Sequence, residues 1–158
     1  MTALDVEALT DEQLLARFEA TDIPLDQWTH RTHVRVAYTY LTTRPWDDAV
    51  QAMRHGIPRY NAAHDIPESP ETGYHDTLTV AFMHLINAAR VHWQPWRPEG
   101  DSRVFCDHHR ELMCKTLTRL YYTRPTIMSA EAKRSFIEPD LAPFPVVDQG
   151  DGVSSDAT

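Results

Sequence analysis

Trp28-Thr29-His30-Arg31-Thr32-His33-Val34-Arg35-Val36-Ala37-Tyr38-Thr39-Tyr40-Leu41 decides how this chain folds. His30, His33, Val34, Ala37 and Leu41 recur at i, i+3, i+4, i+7 spacing, which puts them on one helical face. A second segment has the same period. His75 heads a stripe of Leu78, Phe82, Leu85, Ile86 and Ala89. Two stripes of this kind predict two helices that bury these faces against each other.

Outward from these segments the chain reads as helices separated by proline-containing turns. Thr10-Asp-Glu-Gln13 is a capping box that starts a helix with Leu14, Leu15 and Phe18 inward. The second helix begins between Asp26 and Thr29 and stops at Arg44-Pro45. A third covers Trp46 to His64, and Gly56 and Pro58 inside it predict a kink or break. The loop from Asp65 to Gly73 is rich in turn formers and delivers Tyr74 and His75 to the fourth helix, which runs to Trp93. Residues 94–100 form another loop. A fifth helix is expected from Val104 to Tyr122, ended by Arg124-Pro125, and a short sixth starts at Ser129 as N-cap. No strand alternation of useful length and no internal repeat is present. The expected class is all-α: a single-domain bundle of five to six helices over residues 1–145. The Pro, Gly, Ser and Asp-rich end, 146–158, is expected to be disordered.

The totals narrow the function. The 158 residues fit one domain. The formal net charge is −8, from 15 basic and 23 acidic side chains, and this argues against nucleic-acid binding. A basic start with an apolar run is missing, and so is a stretch near the ~18 apolar residues of a spanning helix. The expectation is therefore cytoplasmic, with no membrane partner and a homodimer left open. Two cysteines, Cys106 and Cys114, are expected as thiols. Phosphate loops, dinucleotide glycine fingerprints and nucleophile elbows are all lacking.

The histidines carry the functional reading. An i, i+3 pair can bind one metal from a single helix, and His75 would supply a third ligand from a facing helix. Three protein ligands with an open position suit a catalytic centre. The expected metal ligands are thus His30, His33 and His75, holding a transition metal ion: Fe or Cu first, Zn or Ni next. Asp76 would orient a ligand or move a proton. Tyr74 would stand beside it as a second catalytic group, in a pocket shared with Phe82, Tyr38 and Trp28. The expected function is a metal-dependent, oxidative small-molecule enzyme. One alternative is a metal-free His/Asp acid–base isomerase, cyclase or lyase. Another is a ligand-binding or interaction module whose histidines are structural.

Other groups read as scaffold. Cys106-Asp-His108-His109…Cys114 lacks the spacing of common zinc modules. Arg31, Arg35 and Arg59 form either an anion clamp or a solvated face, the second being more frequent. The stretch from Phe136 to Leu141 either folds back toward the site, bringing Glu138 or Asp140, or simply ends a helix.

Four of these segments also carry a resemblance: Trp28-Thr-His30-x-x-His33-Val-Arg-Val-Ala, Tyr60-Asn61-Ala62-Ala63-His64, Gly73-Tyr74-His75-Asp76-Thr77-Leu78-Thr79 and Glu138-Pro139-Asp140-Leu141. Together they resemble a family of small, largely uncharacterised bacterial all-helical proteins, over residues 10–142. Its members carry glutamate where this chain has Asp76. The resemblance implies a carboxylate kept there and shortened by one methylene.

Overall fold

The computed structural model describes residues 3–93 and 100–147. Among them are seven α-helices and no strand: α1 Asp11–Glu19, α2 His30–Thr43, α3 Trp46–Ala63, α4 Asp76–Trp93, α5 Ser102–His108, α6 Arg124–Ile127 and α7 Ala130–Arg134. The all-α, single-domain expectation holds. No helix among the described residues is long and apolar enough to cross a membrane. The expected tail lies outside the described residues from 148 onward, and so does most of the loop at 94–100.

Local chemistry sets the boundaries. The Thr10 hydroxyl accepts the Gln13 N–H while the Gln13 side chain accepts the Thr10 N–H, closing the capping box of α1. Thr29 caps α2 through the Thr32 N–H, and Ser129 caps α7 through Ala132. Proline 45 precedes the first turn of α3, where no N–H is missed. The expected break at Gly56 and Pro58 does not occur; α3 runs through both. Gly56 is required for another reason. A Cβ there would lie 2.5 Å from Cε1 of Phe18, so glycine lets α3 close onto α1.

Helix α2 is the centre of the bundle and touches α1, α3, α4 and α5. Val34, Val36, Ala37, Tyr38, Tyr40 and Leu41 are buried, so it is covered nearly all round. That explains Arg35, which is 0% exposed rather than part of a solvated face. Its guanidinium donates to Ser102 Oγ at 2.9 Å, Val6 O at 2.7 Å and Leu9 O at 2.9 Å. Asp11 lies 3.7 Å away as its counter-charge and also receives the Ser102 hydroxyl. A buried charge persists only when paired and saturated in this way.

The expected fifth helix is a correction. α5 stops at His108, and two short 3-10 turns follow at Arg110–Met113 and Leu117–Leu120. His109 leaves helical geometry at ψ 62°, and Cys114 is extended. The break frees the Leu112 carbonyl, which accepts from His30 Nε2 at 2.8 Å; in a continuous helix that carbonyl would be used within the helix. The chain after α7 folds back across α4. Phe136 N–H reaches Asp76 Oδ2 at 2.9 Å, and the Phe144 ring stacks on His84 at 4.9 Å.

Candidate functional site

The apolar stripes of α2 and α4 do meet. Between them and α3 lies a cavity of about 290 Å³. Val34, Ala37, Met53, Ile57, Leu78, Phe82, Met83 and Ile86 give it apolar walls, and Trp28, His30, His33, Tyr74, His75 and Lys115 also line it. Trp28, Tyr74 and Phe82 are therefore where the sequence reading put them. Tyr38 is not; its ring stacks on Phe105 at 4.3 Å, on the other side of α2.

All three expected histidines reach this cavity, but each commits at least one ring nitrogen to the backbone. A carbonyl can only accept, so each His–carbonyl bond fixes a tautomer. His75 donates Nε2–H to Ile127 O at 3.0 Å. Its Nδ1 accepts the Leu78 N–H at 3.1 Å. Since the Thr79 N–H already bonds to the His75 carbonyl, His75 is the N-cap of α4. Both ring nitrogens are used. His30 donates Nε2–H to Leu112 O, and His33 donates Nδ1–H to Thr29 O at 2.8 Å.

The mononuclear centre, and with it the metal-dependent enzyme, is corrected by this geometry. Among the described residues no group of three or more His, Cys, Asp or Glu side chains could hold a metal ion. Helical spacing brought the rings to one cavity but did not converge their nitrogens. His75 has no lone pair left to offer.

Asp76 is equally engaged. Arg54 meets it side-on, Nε to Oδ1 and Nη2 to Oδ2, each at 3.0 Å. Tyr74 donates its hydroxyl to Oδ1 at 2.6 Å. Burial alone would raise the Asp76 carboxyl; the bonds from Arg54 and Tyr74 outweigh it and hold the group below its ordinary value. Burial and the Asp76 bond push the Tyr74 phenol well above its ordinary range. With the Phe136 N–H also on Asp76, these groups pin the start of α4 to α3 and to the returning chain. Gly73 makes the approach, at φ +92°, with the Tyr74 N–H on Glu68 at 2.8 Å.

What remains open in the cavity was not legible in the spacing. With its donor spent, His30 keeps a bare acceptor at Nδ1 and His33 one at Nε2. Neither has a hydrogen-bond partner among the described residues. No fully buried side-chain nitrogen or oxygen there lacks a partner, so both acceptors are solvent-accessible, on rings that line the cavity. Burial drives the His33 imidazolium down to about 4 and lowers His30 as well. The Lys115 ammonium at the mouth adds to both effects. Both rings are neutral at pH 7. The His33 ring lies against Trp28, centroids 3.7 Å apart, and His30 meets the Phe82 edge at 4.8 Å.

Comparison with family models, with curated proteins and with solved structures returns no match for this chain. The site's own chemistry therefore carries the reading.

The remaining candidates fall outside the cavity. Cys106 is buried, its thiol pushed up to about 12 by burial, whereas Cys114 is exposed. Arg31 pairs with Glu7 and Asp107. Asp140 accepts from the N–H and hydroxyl of Thr123 and from the Thr126 hydroxyl, which ties the returning chain to the start of α6. Glu138 does not line the cavity.

Proposed function

We propose that this protein binds a small, mostly apolar molecule in the cavity between α2, α3 and α4. One observation carries the reading: eight aliphatic, thioether and aromatic side chains line space for a ligand, together with two imidazoles that each keep a bare acceptor. An engineered cavity of about 150 Å³ holds benzene; by proportion, this one holds about a dozen non-hydrogen atoms. Few convergent polar groups on apolar walls is the usual make-up of a small-molecule site.

Binding is favoured over proton transfer by the state of the polar groups. A general base works best with a pKa near the operating pH, and His33 lies well below it. His75 and Asp76 are saturated by bonds that hold the fold together. Membership of the bacterial all-helical family is part of the same proposal. Its Trp28-to-Ala37 and Gly73-to-Thr79 segments line the cavity, and its Tyr60-to-His64 segment backs it, with Tyr60 against Trp28 at 4.8 Å.

Titration of the full chain with propylbenzene, followed by NMR shifts of the Met53 and Met83 methyls, tests the reading. Saturable binding is expected with a Kd on the order of 100 µM, about 5 kcal/mol from burying the hydrocarbon. Ala37→Phe, which fills the cavity from α2, should abolish it while the helical circular dichroism is kept. Absence of saturable shifts in the unmodified chain overturns the reading.

A further inference from the structure

The polar edge of the cavity specifies more than size. Resting on the binding reading above, we infer that the ligand is a hydroxylated aromatic, a neutral phenol, whose hydroxyl donates to the His33 imidazole while its oxygen accepts from Lys115.

Thr29 O and Leu112 O take the ring N–H groups of His33 and His30, so what these rings offer a ligand are lone pairs. A ligand head facing them must donate. A carboxylate, an ether or a ketone would set acceptor against acceptor, which leaves polar groups unpaired at a desolvated site. Lys115 has the opposite need. It lines the same cavity, close enough to disfavour protonation of both imidazoles, and forms no ion pair among the described residues. It offers donors only. A hydroxyl is the smallest group that gives a proton to one side and accepts one from the other.

The walls select the body that carries the hydroxyl. Trp28 and Phe82 present aromatic surface, and Met53 and Met83 present thioethers, which contact ring edges favourably. An aromatic ring is therefore favoured over an aliphatic chain of equal volume. The proton stays on the ligand, because a phenol holds it to a pH near 10 and His33 is a far weaker base.

Four probes of matched shape test this by competition against the NMR shifts: 4-propylphenol, propylbenzene, 4-propylanisole and 4-propylbenzoate. The phenol should bind at least tenfold tighter than propylbenzene. The anisole, which accepts but cannot donate, should gain nothing over propylbenzene. The benzoate should bind at least tenfold weaker than the phenol. The bound phenol should keep the ultraviolet spectrum of its neutral form. His33→Leu should bring the phenol to within twofold of propylbenzene, and Lys115→Ala should cut the preference about threefold. Equal binding of phenol and propylbenzene, tighter benzoate, or a phenolate spectrum overturns the inference and leaves apolar binding standing. Failure of all four probes overturns both.

Discussion

The carboxylate of Asp76 meets the guanidinium of Arg54 side-on, through two bonds of 3.0 Å each, and this pair joins α4 to α3. Asp76 is 9% exposed and Arg54 31%, so the two partners do not lose equally when separated. Asp76→Ala should cost about 3 kcal/mol, because the Tyr74 hydroxyl and the Phe136 N–H lose their acceptor as well. Arg54→Ala should cost less, about 2 kcal/mol. Urea unfolding of both single variants and the double variant should give a coupling above about 1 kcal/mol; additive losses would show that the pair is not a unit.

His75 acts on the helix end. His75→Ala removes the cap on Leu78 N–H and leaves Ile127 O unpaired, with an expected loss of about 2 kcal/mol. Asn is a good N-cap and should recover about half of that. Equal unfolding midpoints for His75→Ala and His75→Asn would refute a capping role.

Acid should weaken the fold through its neutral histidines. The folded-state values of His30, His33, His75 and His84 all lie below the ordinary 6.5, burial being the first cause in each. The unfolded chain therefore binds more protons below that pH. Stability is full above about 6.5 and is lost as pH falls toward the folded-state values, about 4 for His33. His33 alone would contribute about 3 kcal/mol if sealed; its partial exposure reduces this to about 2. Melting temperatures at pH 7.5, 5.5 and 4.5 should fall in the parent and fall less steeply in His33→Gln. Parallel curves would remove His33 from this account.

Gly56→Ala sets helix propensity against packing. Alanine gains about 1 kcal/mol inside a helix. The new Cβ would press on Phe18, itself stacked on Trp28 at 5.1 Å and edge-on to Tyr40. A net loss of about 1–2 kcal/mol is expected, relieved when Phe18→Leu is added. A stabilised single variant would show that Phe18 yields freely.

Much of the bundle was legible along the chain. Thr10, Thr29 and Ser129 satisfy N–H groups within three residues, so their caps are local events that sequence displays. The inward stripes of α2 and α4 follow from period alone. The end of the fifth helix was not legible because the Leu112 carbonyl, left without a helical partner by the break at His109, is satisfied by His30, 82 positions away. Arg35 was misread for a related reason: period shows which face a residue occupies, not that four neighbouring helices surround it.

Composition, period and capping chemistry fixed an all-helical chain and the faces its helices bury, because those interactions span a few residues. Tertiary packing decided that His30 and His75 spend ring nitrogens on the carbonyls of Leu112 and Ile127, while His33 turns back to Thr29 at the start of its own helix. That choice turns three histidines on one cavity from a ligand set into one cap and two neutral acceptors. It rests on directional hydrogen bonds, two of them between residues 52 and 82 positions apart, and a one-dimensional pattern holds no angles.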